Sequence, residues 1–302
     1  MNPRDFVGYG GRPPDPRWPG GARVAVSFVV NVEEGAERSL TAGDEQNEKT
    51  YEVTDEVLGV PDPCMESHFE YGTRAGYWRI MGVLERFAVP ATLSACGRAL
   101  EVSPWLAADG VRRGHEIAAH GYRWESHAHM TEGEERATIG RTVRAITATA
   151  GTRPVGWHTR SAPSVNTRRL LAEEGGFLYD SDAYSDDLPF FVDVAGRPHL
   201  VIPYSFDTND MHFHQGMQRF VTAGDFVEYV ADAFDALWRE GGSAPKLLSV
   251  GLHLRMIGRP GRIGGLERVI EHMRQKGGVW FARRDEIARH WIGLFGGRGA
   301  RT

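Results

Sequence analysis

Two apolar segments of the chain each deliver ionisable side chains at their C-terminal ends. Residues 24–30 are followed by Asn31, Glu33 and Glu34, and residues 116–119 are followed by His120. In parallel α/β folds the active site is built where the strands end. A carboxylate whose pKa is raised by burial can activate water, and an imidazole can protonate a leaving nitrogen. The pattern indicates hydrolysis of an amide or an imide.

Three further apolar runs end in the same way. His158 and Arg160 follow residues 154–157, Asp182 follows residues 177–179, and His253 follows residues 247–252. Each of these side chains alone is as consistent with a structural or turn-forming role. Their recurrence at equivalent positions favours one shared cavity. The chain contains no Gly-x-Ser-x-Gly elbow and no phosphate-binding glycine loop, which argues against a covalent serine mechanism and against a nucleotide.

The elements that position these residues alternate between strand and helix patterns, without a long linker or a repeat of fixed period. This alternation predicts one α/β domain over residues 1–302, built as a barrel. Residues 1–21 are rich in glycine and proline and predict an irregular arm. Residues 35–67 are polar with little periodicity, and a loop of that length inside a domain predicts an active-site loop.

Composition narrows the class of partner. The 302 residues carry a formal net charge of −5 and no basic block, which argues against nucleic acid and anionic membranes. No secretory signal and no run of about 18 apolar residues occurs. Only two cysteines are present. These features predict a cytoplasmic protein that acts on a small neutral or polar molecule.

Several longer motifs resemble the polysaccharide deacetylase family, and within it the allantoinase-like branch of purine metabolism. They lie at residues 30–35, 70–76, 179–189 and 203–211, and the resemblance extends from about residue 4 to about residue 290. It implies a distorted (β/α) barrel that opens the hydantoin ring of allantoin to allantoate without a bound metal. It also implies a homo-oligomer, a tetramer, and the arm with Tyr9 and Trp18 offers a strap for a neighbouring subunit.

The chain departs from the zinc-binding members of this family at two motifs. Trp124 stands where the second histidine of a pair four residues apart is expected, and Asn31 with glutamates replaces an aspartate pair. Zinc takes three or four N, O or S ligands, and an indole does not coordinate. No metal or other cofactor is therefore expected. If a metal binds, Glu33 and His120 are its ligands, and an altered zinc site that uses His127 or His129 stays open.

The resemblance also implies roles for individual residues. Glu33 is the first candidate for water activation and Glu34 the second, while His120 orients the water or the substrate and His253 lies near the leaving group. The side chains expected to contact the substrate are Asn31, Glu70, Arg74, Trp124, His158, Arg160, Asp182, Asn209 and Asp210.

Two other functions stay open at this point. One is a metal-dependent deacetylase that acts on an N-acetylated sugar or another linear amide. The other is a catalytically inactive barrel that binds a ligand. Residues 41–63 look atypical for the allantoinase-like branch, so the substrate is left open as well.

Overall fold

A curled sheet of nine strands forms the centre of the computed structural model, which describes residues 4–50, 55–214 and 220–296. The strands run in the spatial order β6-β7-β5-β4-β3-β2-β1-β8, and β9 lies beside β1. All pairs are parallel except the β6–β7 hairpin. The predicted distorted barrel is confirmed. The strands are β1 Val24–Val32, β2 Thr92–Ala95, β3 Glu116–Ala119, β4 Gly156–Trp157, β5 Tyr179–Asp180, β6 Phe190–Val194, β7 Arg197–Val201, β8 Lys246–His253 and β9 Val279–Phe281.

Strand β1 is the axis of the sheet. All nine of its residues are buried, and its valine-rich sequence suits a parallel strand covered on both faces. It pairs with β8 along its length, and on its other side with β9 and then β2. In this register Asn31 lies opposite both Ser94 and His253. The pairing therefore brings the residues that follow β1 next to those that end β8.

Helices pack around the sheet between successive strands. A capping box at Thr131 opens the longest of them. The helices are α1 Pro63–Tyr71, α2 Tyr77–Arg86, α3 Gly97–Val102, α4 Pro104–Arg112, α5 Glu132–Ala150, α6 Thr167–Glu174, α7 Ala223–Glu240, α8 Pro260–Lys276 and α9 Arg284–Phe295. Within the described ranges, no helix combines the length and the apolar character that crossing a bilayer requires.

The predicted active-site loop ends earlier than residue 67. Helix α1 begins at Pro63, because the Asp62 carboxylate accepts a hydrogen bond from Met65 N at 3.0 Å and proline suits the first helical position. A π-helical turn, Gly72–Gly76, joins α1 to α2. Residues 51–54 of the loop lie outside the described residues.

The N-terminal arm packs on its own chain. Trp18 is buried, and its Nε1 donates to Lys246 O at 2.9 Å. The Tyr9 hydroxyl donates to Pro189 O at 2.6 Å. These are the two residues that the sequence offered as contacts with a neighbouring subunit, and that contact stays a prediction. Within the chain, the polar atoms of both side chains have hydrogen-bond partners.

Candidate active site

The carboxylate of Glu33 lies where the ends of three segments meet. Its Oε1 is 3.5 Å from Nε2 of His120 and 3.5 Å from Nε2 of His253. Its Oε2 accepts a hydrogen bond from Nη1 of Arg255 at 2.7 Å. All four side chains are buried. We refer to Glu33, His120, His253 and Arg255 as the buried cluster. It places a carboxylate between two imidazoles in a site of low dielectric.

The orientation of His120 is determined by a backbone carbonyl. Its Nδ1 lies 2.7 Å from His158 O, which can only accept, so Nδ1 carries a proton. Its Nε2 is thereby directed at Glu33. The ring stacks on the His158 ring at 4.9 Å between centroids. The predicted substrate contact His158 thus supports His120 through both its backbone and its ring.

His253 is oriented by Asp210. The Asp210 carboxylate lies 2.6 Å from Nδ1 of His253 and accepts from His253 N at 2.8 Å. Burial lowers the pKa of His253, but the charges of Asp210 and Glu33 outweigh it and raise the pKa above its ordinary value. These charges favour the imidazolium form of His253 beside Glu33. Asp210, which the sequence assigned to substrate binding, lies against His253 and orients its ring.

Glu33 and Glu34 share one arginine. Nη1 of Arg255 is 2.7 Å from Glu33 Oε2 and 3.6 Å from Glu34 Oε1. Burial raises the pKa of Glu33, but the charges of His253 and Arg255 outweigh it, so the net pKa is well below its usual range. Burial raises the pKa of Glu34 to about 7, with Arg255 opposing and Glu33 adding to the rise. The two neighbouring glutamates therefore differ in charge state near neutrality.

Glu34 is enclosed by the π-helical turn. A Cβ atom added to Gly72 would lie 2.3 Å from Glu34 Oε1, so only glycine permits this approach. The second oxygen of Glu34 accepts from Glu33 N at 3.0 Å. These contacts hold Glu34 beneath the helix and leave Glu33 as the carboxylate that faces both histidines.

Replacing Glu34 by glutamine is expected to stabilise the fold at alkaline pH. The folded state holds the Glu34 proton up to about pH 7, whereas an unfolded carboxyl releases it near 4.5. The protonated Glu34 contributes fully to the free energy of unfolding below the pKa of the unfolded chain. That contribution is lost as the pH rises through the pKa of the folded chain. Because glutamine stays neutral, the free energy of unfolding of Glu34→Gln should exceed that of the wild type by up to about 3 kcal/mol above pH 7.

Urea unfolding of both proteins at about pH 5, 7 and 8.5 measures this difference. The exposed Glu45, changed to glutamine, is the matched control. A stability difference between Glu34→Gln and the wild type that does not grow with pH would contradict the assignment of a raised pKa to Glu34.

Trp124 forms one wall of the site. The guanidinium of Arg160 lies 3.4 Å from the centre of its ring, that of Arg255 lies 5.2 Å away, and Phe69 meets it edge-on at 6.1 Å. Arg160 also donates to Trp124 O at 2.8 Å and pairs with Glu48 at 3.3 Å. Two cations thus lie near the indole ring, which is a favourable contact for its π system.

Asn31 lies opposite His253 in the register of β1 with β8. Its Nδ2 donates to the Tyr204 hydroxyl at 3.0 Å and to Leu252 O at 3.1 Å. Its Oδ1 is buried without a hydrogen-bond partner among the described residues. A buried acceptor without a partner is costly, so Asn31 Oδ1 is suited to a donor from a substrate or a water.

Four other predicted substrate contacts are used differently. Glu70 and Arg74 form an exposed i,i+4 ion pair at 3.2 Å, because the helical turn directs them outward while Gly72 faces Glu34. Both carboxylate oxygens of Asp182 accept from Thr159. Asn209 accepts from Met211 N at 3.0 Å and caps a short helical turn. The structure does not bring Glu70 and Arg74 to the buried cluster, and it gives Asp182 and Asn209 structural partners.

Sequence reasoning missed Arg255. It follows the apolar strand β8 by two residues and is 1% exposed, although it carries a permanent charge. An arginine so close to His253 at the end of an apolar strand could have been predicted from the sequence as a site residue. Its carboxylate partners lie more than 200 positions earlier in the chain, so only the fold identifies them.

Comparison with known proteins identifies the family of the chain. The family model for polysaccharide deacetylase matches residues 59–177. A protein of Schizosaccharomyces pombe named as a polysaccharide deacetylase is 38% identical over 95% of this chain and 96% of its own length. The chain belongs to the polysaccharide deacetylase family. The enzyme class predicted from sequence, a hydrolase of carbon–nitrogen bonds other than peptide bonds, is confirmed.

Two solved structures extend the comparison. A polysaccharide deacetylase of Pseudomonas aeruginosa PAO1 is 48% identical, with a TM-score of 0.93 over 97% of this chain and 99% of its own. The PuuE allantoinase is 47% identical, with a TM-score of 0.93 over 98% of this chain and 99% of its own. The polysaccharide deacetylase fold therefore covers nearly the whole chain, including the buried cluster.

Proposed function

We propose that this member of the family opens a cyclic ureide such as allantoin by hydrolysis, giving allantoate, without a bound metal. The likeness to the PuuE allantoinase supports the substrate class. The contact between Arg255 and Glu33 is the observation that carries the proposal. Through this contact, Arg255 places beside Glu33 the positive charge that a metal ion supplies in other hydrolases.

The donor atoms present do not fit a zinc ion. Trp124 occupies the position of a second histidine, and the second oxygen of Glu33 is bound by a guanidinium. The fixed charge of Arg255 beside Glu33 opposes a further cation there. Across residues 4–50, 55–214 and 220–296, no group of three or more His, Cys, Asp or Glu side chains is arranged to hold a metal ion.

The first step that we assign is attack by water on the ring carbonyl. Glu33 accepts a proton from the water, and Nε2 of His120, 3.5 Å from Glu33 Oε1, orients that water. The new C–O bond places negative charge on the carbonyl oxygen, and the imidazolium of His253 stabilises that charge. Glu33 is ionised at neutral pH because its pKa is low, so the base is always available.

The second step breaks the C–N bond of the ring. His253 donates its Nε2 proton to the leaving nitrogen, and Asp210 keeps the imidazole oriented as it does so. Glu33 is then protonated and His253 neutral. Since the two groups are 3.5 Å apart, the proton returns from Glu33 to His253 and restores the starting state. The products are a carboxylate, its proton and a free amide or ureide nitrogen.

Allantoin turnover by the purified protein after treatment with a strong chelator is the test. We expect the rate to be unchanged by the chelator and by added zinc, because the charged groups of the site belong to the chain. Loss of activity on chelation and its return with zinc would refute the metal-free proposal. Acetate release from an N-acetylated sugar, with no allantoin turnover, would assign the alternative deacetylase function.

The variant Trp124→His sharpens this experiment. If Trp124 alone prevents zinc binding, the variant should bind zinc, as measured by metal analysis after dialysis. With Arg255 still bound to Glu33, we expect little gain. Zinc bound to the variant at one ion per chain would show that the arginine does not exclude a metal. The cytoplasmic location and the homotetramer stay predictions from the sequence.

A further inference from the structure

A second cavity opens on the surface beside helix α5, outside the buried cluster. It is lined by Arg98, Tyr122, Arg123, Glu125, Ala137, Thr138 and Arg141. Three of its seven lining residues are arginines and one is a glutamate. We propose that this cavity binds a small anion, either a phosphate or a carboxylate. The inference concerns binding alone and does not rest on the proposed function.

Two of the arginines have donors to spare. Arg98 donates from Nε to Gly35 O at 3.0 Å, and no described residue accepts from its two terminal nitrogens. The guanidinium of Arg141 lies 3.6 Å from the centre of the Tyr122 ring, and no described residue accepts a hydrogen bond from it. Guanidinium groups match planar or tetrahedral oxyanions with paired donors. These nitrogens are therefore suited to a ligand that brings its own oxygens.

The third arginine is already paired, which sets the shape of the cavity. Arg123 donates to the Asp44 carboxylate at 2.5 and 2.6 Å and to Glu37 O at 2.6 Å. Its terminal nitrogens are therefore already hydrogen-bonded, and it lines the cavity without offering donors to a ligand. Glu125 is the one carboxylate on the lining, and Glu101 lies behind it at the Tyr122 hydroxyl; with Arg123 paired to Asp44, the lining itself carries two further arginines against one glutamate. The surplus is positive and favours an anion.

The aromatic floor of the cavity is rigid. Tyr122 is 7% exposed, and its hydroxyl donates to Glu101 at 2.7 Å. The ring thereby holds Arg141 in place, and an arginine already ordered loses less entropy when it binds a ligand. The Tyr122 ring thus orders one of the two arginines that have donors to spare.

The cavity also adjoins the catalytic segment. Arg98 contacts the carbonyl of Gly35, the residue that follows Glu34, and Trp124 N donates to Ala36 O at 3.2 Å. A bound anion would meet the side chains that hold residues 35–37 in place. The anion site is therefore linked to the segment after Glu34 through Arg98, and that segment is hydrogen-bonded to Trp124.

Titration with inorganic phosphate and, separately, with succinate tests the proposal, at constant ionic strength and followed by calorimetry. We expect at least one of them to bind with a Kd of about 1 mM. The variants Arg98→Gln and Arg141→Gln should each weaken that binding by about tenfold or more, because each loses a charge-assisted hydrogen bond. Binding of phosphate alone or of succinate alone identifies the class of ligand.

Arg144→Gln is the matched control, since Arg144 is an exposed arginine on the same helix and does not line the cavity. Arg144→Gln should bind the anion with the same Kd as the wild type. Circular dichroism checks that Arg98→Gln is folded, and the exposed Arg141 gives a variant that leaves the backbone contact of Arg98 intact. Failure of both anions to bind the wild type, or wild-type binding by Arg141→Gln, would overturn the proposal.

Discussion

Replacing Glu33 by glutamine is expected to lower kcat for ring opening by about 100-fold to 10,000-fold, the range typical of losing a positioned general base. Glutamine keeps the size of the side chain but cannot accept a proton from water. It also removes the negative charge that helps to raise the pKa of His253. The change therefore weakens both the base and the acid of the proposed mechanism, and kcat should fall far more than KM rises.

Steady-state kinetics on Glu33→Gln and on Glu34→Gln separate the two adjacent carboxylates. Glu34 lies beneath the π-helical turn and does not face the histidines, so its variant should retain most of the activity. Substrate binding to Glu33→Gln, measured directly, shows whether the site is intact. If Glu34→Gln loses activity and Glu33→Gln keeps it, the roles are reversed and the mechanism is wrong.

Replacing Arg255 by methionine is expected to lower the free energy of unfolding by about 3–5 kcal/mol at pH 8, the usual cost of removing one partner from a buried ion pair. Two carboxylates within reach of one nitrogen would then lie buried without their cation. The pKa of Glu33 would rise because the charge of Arg255 is one of the two that lower it most. Activity should fall as well, because the ionised form of the base is then less favoured.

Urea unfolding of Arg255→Met, with and without Glu34→Gln, measures this effect. The double variant carries one buried carboxylate fewer and should recover part of the loss. The loss should also be smaller at about pH 5, where Glu34 is already protonated. Either of two results would show that Arg255 does not neutralise the carboxylates of Glu33 and Glu34. One is an Arg255→Met variant whose free energy of unfolding is within about 1 kcal/mol of the wild type; the other is a double variant no more stable than Arg255→Met alone.

These two changes address different aspects of one arrangement. The charge of Arg255 favours the ionised form of Glu33, and the charges of Asp210 and Glu33 favour the protonated form of His253. A carboxylate base beside an imidazolium acid is a pair that can carry the hydrolysis of a ring amide. The buried cluster produces this pair of states from four side chains and one orienting carboxylate.

Much of the fold followed from local patterns. The strand at Glu116–Ala119 was predicted at the position that the structure gives it. Strand β6, Phe190–Val194, was not predicted, because its residues are only partly buried and show no clean alternation of apolar and polar side chains. Helix α1 was taken for loop, since its short polar turn lacks helical periodicity over enough residues.

The sequence by itself determined which strand ends carry Glu33, His120 and His253, because a strand and the residue that follows it are encoded by neighbouring positions. It also showed Trp124 in place of a zinc ligand. Only the tertiary structure decided that Arg255 binds Glu33 from 222 positions away and that Asp210 orients His253. Charge states in the site depend on such distant partners and on burial. The division of roles between Glu33 and Glu34 is therefore a property of the folded chain.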